Sequence, residues 1–465
     1  MSATTQANPF LTGNFAAVDD EITAENLTII GEIPVELNGM FIRNGPNPQF
    51  LPIGQYHWFD GDGMVHGIHL QNAQAVYRNR YVQTQGFLTE REAQKAIWSG
   101  MLEPPQTDLP GGPSKNTANT ALIWHAGRLL AVWEGGPPHS LQLPGLETLG
   151  LYTFEDRLGS AVTAHPKVDP KTGEMLFFGY SFGPPYLQYG IISNQGTLSQ
   201  TVPIELPVSV MMHDFAITEN HTVFMDLPLT FRPERMEQGQ PALAFERDRP
   251  SRFGILPRYG DNSDIRWFES PSCYIFHIFN AYEEEEEVVL LACRMQEFDL
   301  ASVGDDPGTP YLYEWRFNLK SGATRERQLS PLACEFPRIN ESYVGQKMRY
   351  GYAGKLAPSP MPLFNGLVKF DFSDGTVDVQ TQVHQLGSNR YCGEAVFAPR
   401  LGAAEEDDGW LLTYVHDEET NQSELLILQA QDLAADPVAR VLIPQRVPYG
   451  FHAIWVNQSQ IELTR

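Results

Sequence analysis

Residues 276–279, 334–339, 392–397 and 450–455 read FHIF, CEFPRI, CGEAVF and GFHAIW. Each is a short apolar stretch that holds one side chain of metal-ligand type: His277, Glu335, Glu394 and His452. Successive members lie 58, 59 and 58 residues apart. One polar residue per apolar element at equal spacing implies a structural repeat that aims one side chain per repeat at a common point. Upstream, Glu134, His165 and His213 also sit in apolar runs. Four imidazoles and three carboxylates converging on one axis would make a metal site whose ligands are themselves held by carboxylates.

The rest of the chain supports a β repeat. Strand-like runs dominate: 127–135 (GRLLAVWEG), 173–182, 221–229, 287–295, 311–319, 365–372, 409–417 and 423–431. They are short, rich in β-branched and aromatic residues, and bounded by turn residues. DPKTG at 169–173, NLKSG at 318–322 and DFSDG at 371–375 suit hairpins. Helical periodicity is confined to 87–102, where Thr89 is the expected cap and Glu92 follows it by three. A β-propeller blade is a four-stranded sheet with repeats of roughly 40–50 residues. A period near 58 leaves room for longer loops. The length of 465 residues holds about eight such periods. With an irregular N-terminal extension over about 1–25, the reading is all-β: a single seven-bladed propeller domain spanning 1–465.

Composition excludes several classes. The formal charge of −25 repels nucleic-acid phosphates and anionic headgroups. Membrane contact would have to be hydrophobic and local. No apolar run approaches the ~18 residues of a transmembrane helix. The start, MSATTQANPFLTGNF, lacks the basic and apolar regions of a secretory leader. The expectation is a cytoplasmic protein, peripheral to a membrane at most. Cys273, Cys293, Cys334 and Cys392 form no C-x-x-C pair and are read as buried reduced thiols. FDGDG at 59–63 starts like a calcium loop, but no downstream Glu fits, so it is read as a hairpin turn. The run Glu283–Glu287 is read as a solvated loop.

A lone histidine in an apolar run is more often a satisfied structural residue. The set changes that reading, because Glu134, Glu335 and Glu394 would be costly if buried unpaired, and pairing with ligating imidazoles removes the cost. Neutral imidazole suits Fe, Zn, Cu and Ni. The other histidines (His57, His66, His69, His125, His139, His221, His384 and His416) lack the pattern and are read as structural.

The chain resembles the carotenoid cleavage oxygenases, from about residue 25 to 460. The resemblance rests on RNGPNP (43–48), HWFDGDGMVHG (57–67), AHPK (164–167), HDF (213–215), FHIFNAYE (276–283), EFPRIN (335–340), GEAVFAPR (393–400) and GFHAIW (450–455). It implies a seven-bladed propeller with a helical and loop cap over the metal-site face. It also implies Fe(II) on His165, His213, His277 and His452, with Glu134, Glu335 and Glu394 behind them. By analogy, Glu134 would support His213, Glu335 His277, and Glu394 His452. Ala453 stands where Gly is common in the family. Zinc prefers four-coordinate sites with fewer imidazoles or with thiolates, whereas four ligands in an octahedron leave two positions open. Iron with O2 as co-substrate is therefore the expected chemistry.

The implied activity is that of a dioxygenase, without an organic cofactor, that cuts a C=C bond of an apolar polyene and leaves two carbonyl products. The polyene would be held by position in a hydrophobic tunnel, with Trp133, Phe276 and Tyr81 as candidate lining. Relatives that cleave phenolic stilbenes are thought to hold the phenol with a Lys directly before the first Glu and with a Tyr. Here Trp133 precedes Glu134, and Tyr81 is the candidate hydroxyl. A propeller acting purely as an interaction platform is a further reading, and an isomerohydrolase a remote one. Segments 87–102 and 226–245, the latter with Leu227, Leu229, Phe231, Met236, Leu243 and Phe245, are the candidates for an exposed apolar mouth.

Overall fold

A computed structural model describes residues 8–104, 106–300, 308–373 and 379–464. Its strands form the seven blades of a propeller. Blade 2 spans Ala121–His125 to Thr148–Leu151, and blade 3 Lys167–Val168 to Leu198–Ile204. Blade 4 combines Ala216–Ile217, His221–Asp226, Ser251–Pro257 and Arg266–Ser270. Blade 5 runs from Tyr274–Glu284 into Thr324–Arg338, a fifteen-residue strand. That strand pairs first with Tyr311–Asn318 and then, from Cys334 on, with Tyr350–Leu356 of blade 6. Blade 7 holds Val396–Pro399, Gly409–Asp417, Gln422–Gln429 and Ala439–Ile443.

Blade 1 closes the ring. The C-terminal strand Ala453–Asn457 pairs antiparallel with Gly39–Pro46, and Ile29–Gly31 adds to the edge of blade 7. The two ends of the chain are thereby joined by sheet hydrogen bonds. Upstream, Phe10 and Phe15 pack with Tyr56, Trp58, Tyr449 and Phe451.

The core is a ring of layers between neighbouring blades. Side chains alternate along a strand, so each central strand feeds two layers. In Gly39–Pro46, Phe41 packs against Trp410 and Leu412 of blade 7, while Met40 and Ile42 pack with Leu122, Leu129 and Ala131 of blade 2. In Gly409–Asp417, Leu411 and Val415 meet Tyr352 and Leu367 of blade 6. Burial on both faces explains why these strands read as continuous apolar runs. All four cysteines are buried free thiols.

Three local expectations need correction. The helix is Gln85–Ala93, capped by Thr84, which accepts from the Phe87 N–H; Thr89 instead bonds back to Gln85. It stops early because Gln94 takes a left-handed conformation and Glu90 collects the N–H groups of Lys95, Ile97 and Trp98. Glu283–Glu287 is the end of a β-hairpin, whose turn at Glu285 and Glu286 is exposed as expected while the flanking residues belong to the strands. Glu284 and Glu287 pair with Arg316, Lys347 and Arg325, and Glu283 clasps Thr218, Asn220 and His221. FDGDG forms a 3₁₀ turn, Trp58–Asp60, leading into Gly63–Gln71. The turns at 169–173 and 318–322 do join paired strands; the tip of the one at 371–375 lies outside the described residues.

Candidate metal centre

Each of the four histidines sits at the start of, or within, the inner strand of its blade. His165 precedes Lys167–Val168, His213 precedes Ala216–Ile217, His277 lies in Tyr274–Glu284, and His452 directly precedes Ala453–Asn457. One ring nitrogen from each lies within 4.8 Å of every other. His165 Nε2 and His213 Nε2 are 3.0 Å apart. Among the described residues this is the only cluster suited to a metal ion.

The carboxylates orient the rings. His213 Nδ1 is 2.6 Å from Glu134 Oε2, His277 Nδ1 2.6 Å from Glu335 Oε2, and His452 Nδ1 2.9 Å from Glu394 Oε1. Each Nδ1 donates its proton to the carboxylate, which leaves the Nε2 lone pair facing the centre. The Nε2 of His277 is buried without a protein partner. A metal about 2.0–2.1 Å from each of four imidazole nitrogens holds neighbouring nitrogens roughly 3 Å apart. The donor set therefore fits a divalent transition metal that accepts imidazole.

Backbone irregularity makes this aim possible. The strand Tyr274–Glu284 slips register against Glu287–Met295 on both sides of Ile278, and Thr324–Arg338 slips against Tyr350–Leu356 between Glu335 and Arg338. These bulges turn His277 and Glu335 out of the regular alternation. In the second, Phe336 has φ of 55°, a left-handed conformation that costs a non-glycine residue about 1–3 kcal/mol. The Phe336 N–H donates to Glu335 Oε2, which holds the turn. On the far side, a Cβ on Gly45 would come within 2.8 Å of Gly450 Cα. The RNGPNP strand and the segment leading into His452 pack that closely because both lack side chains there.

Burial sets the charge state. It drives His165 well below the ordinary imidazole value, helped by His452, His213, His277 and Lys167. Burial also lowers His452 to about 4, against the pull of Glu394. In His277 burial is outweighed by Glu335, and the shift is upward. Burial of Glu394 is outweighed by Arg338 and His452, so its carboxyl stays low.

A cavity of about 1560 Å³ borders three of the histidines and exceeds the roughly 300–1,000 Å³ of ordinary small-molecule pockets. Trp133 and Phe276 line it, as do His213, His277, His452 and Glu335. Tyr81 does not: its ring packs on Phe87 and its hydroxyl accepts from Asn47, which pins the N-terminal segment at Val18. Tyr180 was missed by the sequence reading. It lines the cavity, and its hydroxyl donates to Glu134 Oε1 at 2.6 Å, so Glu134 serves His213 with one oxygen and Tyr180 with the other. A tyrosine inside an apolar strand run carries no signal that separates it from core. The structural histidines have local partners, such as Tyr77 for His66, Gly173 for His125 and Ser423 for His416.

The sequence profile of the family described as "Retinal pigment epithelial membrane protein" matches residues 15–457. The chain belongs to this family, that of the carotenoid cleavage oxygenases. It is 45% identical to the "Carotenoid 9,10(9',10')-cleavage dioxygenase" of Crocus sativus, over 97% of this chain and 90% of that protein. Its fold superposes on the lignostilbene dioxygenase of Pseudomonas brassicacearum with a TM-score of 0.90 at 32% identity, covering 98% of this chain and 100% of that one. The cobalt-substituted apocarotenoid oxygenase of Synechocystis gives 0.83 at 28% identity, covering 95% and 97%.

Proposed function

We propose that this oxygenase uses Fe(II), held by His165, His213, His277 and His452, to cleave a C=C bond of a carotenoid or apocarotenoid with O2. The observation that carries the reading is four convergent imidazoles, three of which line a large apolar cavity. Three of the imidazoles are backed by Glu134, Glu335 and Glu394. Bound Fe(II) supplies the redox capacity to activate O2. The chain supplies the rest. The carboxylates keep three rings oriented, and the four imidazoles would hold the ion as neutral ligands. Trp133, Phe276 and Phe336 form apolar walls at the histidines, where they exclude water and hold an olefin that offers no ligand atom of its own. One double bond is chosen by its position along the cavity. Its two carbons each take one atom of O2 and become carbonyls.

The substrate reaches the site from a lipid phase. Four of the residues that line the cavity are exposed apolar side chains: Phe182 (61% exposed), Met236 (52%), Met101 and Ile53. Leu227 and Leu229, expected there, lie instead in the core. Leu243 and Phe245 are half-buried. The net charge of −25 directs this contact to neutral lipid. Replacing Met101, Phe182 and Met236 with Ser should reduce sedimentation with phosphatidylcholine vesicles; unchanged sedimentation would remove the idea.

The structural match to a lignostilbene dioxygenase favours a second reading, phenolic stilbene cleavage. Against it, Trp133 precedes Glu134 and the Tyr81 hydroxyl is occupied away from the cavity. The deciding experiment is mass spectrometry of products from apocarotenals, carotenoids and hydroxystilbenes under labelled oxygen, beside an iron assay. The expected result is two carbonyl products from a carotenoid substrate, each with one labelled atom. Turnover of stilbenes alone would overturn the substrate class.

A further inference from the structure

A second layer of charge lies directly behind the histidines, outside the cavity lining. Asp214 follows His213 and is 2% exposed. Its Oδ1 takes the Lys167 ammonium at 2.7 Å and the Phe215 N–H at 2.8 Å. Its Oδ2 accepts the Ile278 N–H at 3.0 Å. Lys167 comes two residues after His165, and Ile278 one residue after His277. A single carboxylate thus ties together the chain segments that carry three of the four histidines.

The bond to Ile278 falls at the bulge in Tyr274–Glu284, where register slips on either side of that residue. A bulge loosens the ladder that fixes a strand; here a side chain supplies the missing acceptor beside His277. Arg338 extends the layer to the fourth histidine. It follows Glu335 by three residues, sits 3.6 Å from Glu394 Oε2 and bonds Glu341 at 2.8 Å. Glu394 in turn holds the His452 ring and the Ala453 N–H.

We propose that Asp214 is a positioning residue of the four-histidine centre, which it holds in register through Lys167 and the Ile278 N–H. It touches neither substrate nor metal. Its effect is on where three imidazoles point, and so on metal affinity. This inference rests on the metal reading above. Removing the carboxylate leaves a buried cation and a buried N–H without their partner, so stability and positioning must be separated.

The test is anaerobic Co(II) titration of the metal-free full chain, read by the visible absorption of the bound ion. The control is Asp226→Asn. Asp226 is equally buried and bonded to Arg249 and Arg252, but its side chain makes no bond to a histidine-bearing segment among the described residues. Asp214→Asn keeps the shape and one acceptor, which can face Ile278, and loses the charge and the second acceptor. Asp214→Ala loses the charge and both acceptors. Expected is a fall in Co(II) affinity of about 10–100-fold for Asp214→Ala, a smaller fall for Asp214→Asn, and none for Asp226→Asn. Should the alanine variant not fold, the asparagine variant against its control decides. Equal affinity in the Asp214→Asn, Asp226→Asn and unmodified proteins overturns the inference. Failure of the unmodified protein to bind Co(II) would instead overturn the metal reading itself.

Discussion

The two halves of the ring reach the same centre by different routes. From Tyr274 onward, His277 and Glu335 are partners 58 residues apart, as are Glu394 and His452. Each pair bridges one blade to the next. Between Ala121 and Ser270 the order breaks down. His165 and His213 are 48 residues apart, and Glu134 reaches His213 from 79 residues away. His165 has no carboxylate bonded to it among the described residues. Loop length adds to this, since His213 and His277 are 64 residues apart across an insertion in blade 4. Segment 85–120 precedes blade 2, and segment 227–250 interrupts blade 4 between His221–Asp226 and Ser251–Pro257. Both contribute to the cavity wall. The later blades also send residues to the wall, among them Phe298 and Met361, but through shorter insertions that leave the repeat visible.

Substitution at the ligands tests whether the halves are equivalent. His277→Ala and His165→Ala should each abolish stoichiometric iron binding and product formation, measured by metal analysis and chromatography. Retention of iron by the His165 variant alone would mark the irregular half as dispensable. Next in size are the carboxylates. Glu335→Gln, Glu394→Gln and Glu134→Gln should each lower metal affinity or turnover about 10–100-fold. A much weaker effect at Glu134 would mean that its longer reach makes it a lesser partner.

Tyr180→Phe should cost less than Glu134→Gln, because Glu134 keeps His213 when it loses the phenol. We expect a loss of stability of about 1.5–3 kcal/mol, typical of a hydrogen bond to a charged group, measured by denaturant unfolding, and iron content near that of the unmodified protein. The smallest effect is expected where the halves meet on the outer side. Glu283 of blade 5 clasps the Thr218–His221 turn of blade 4. Burial would raise its carboxyl, but bonds from His221, Thr218 and Asn220 bring it down to about 2. Its contribution is complete above the ordinary carboxyl value of 4.5 and is lost as pH falls toward 2. Glu283→Gln should flatten part of the stability loss between pH 5 and pH 2.5, read as the difference in unfolding midpoint between the two proteins.

Much of this molecule is legible without coordinates. Apolar runs such as 287–295 and 409–417 are strands over those same residues. His277, Glu335, Glu394 and His452 stand out because one side chain per blade repeats. Other features leave no such trace. Tyr81 is the hydroxyl that the resemblance to stilbene-cleaving relatives puts at the tunnel; a bond from Asn47, 34 residues away, directs it elsewhere. Leu227 and Leu229 look identical in sequence whether a loop exposes them or a blade buries them. The Glu283–Glu287 run resembles a solvated loop until Arg316, Arg325 and Lys347 are brought beside it.

By itself the sequence determined the period, the kinds of side chain at the hub and the strands that carry them, because alternation and turn chemistry act over a few residues. Only the tertiary structure decided which oxygen faces which nitrogen, where the bulges aim His277 and Glu335, and that Asp214 joins three chain segments at once. Those outcomes depend on contacts between segments dozens of residues apart, and close approach of that kind is set by how the blades pack around the ring.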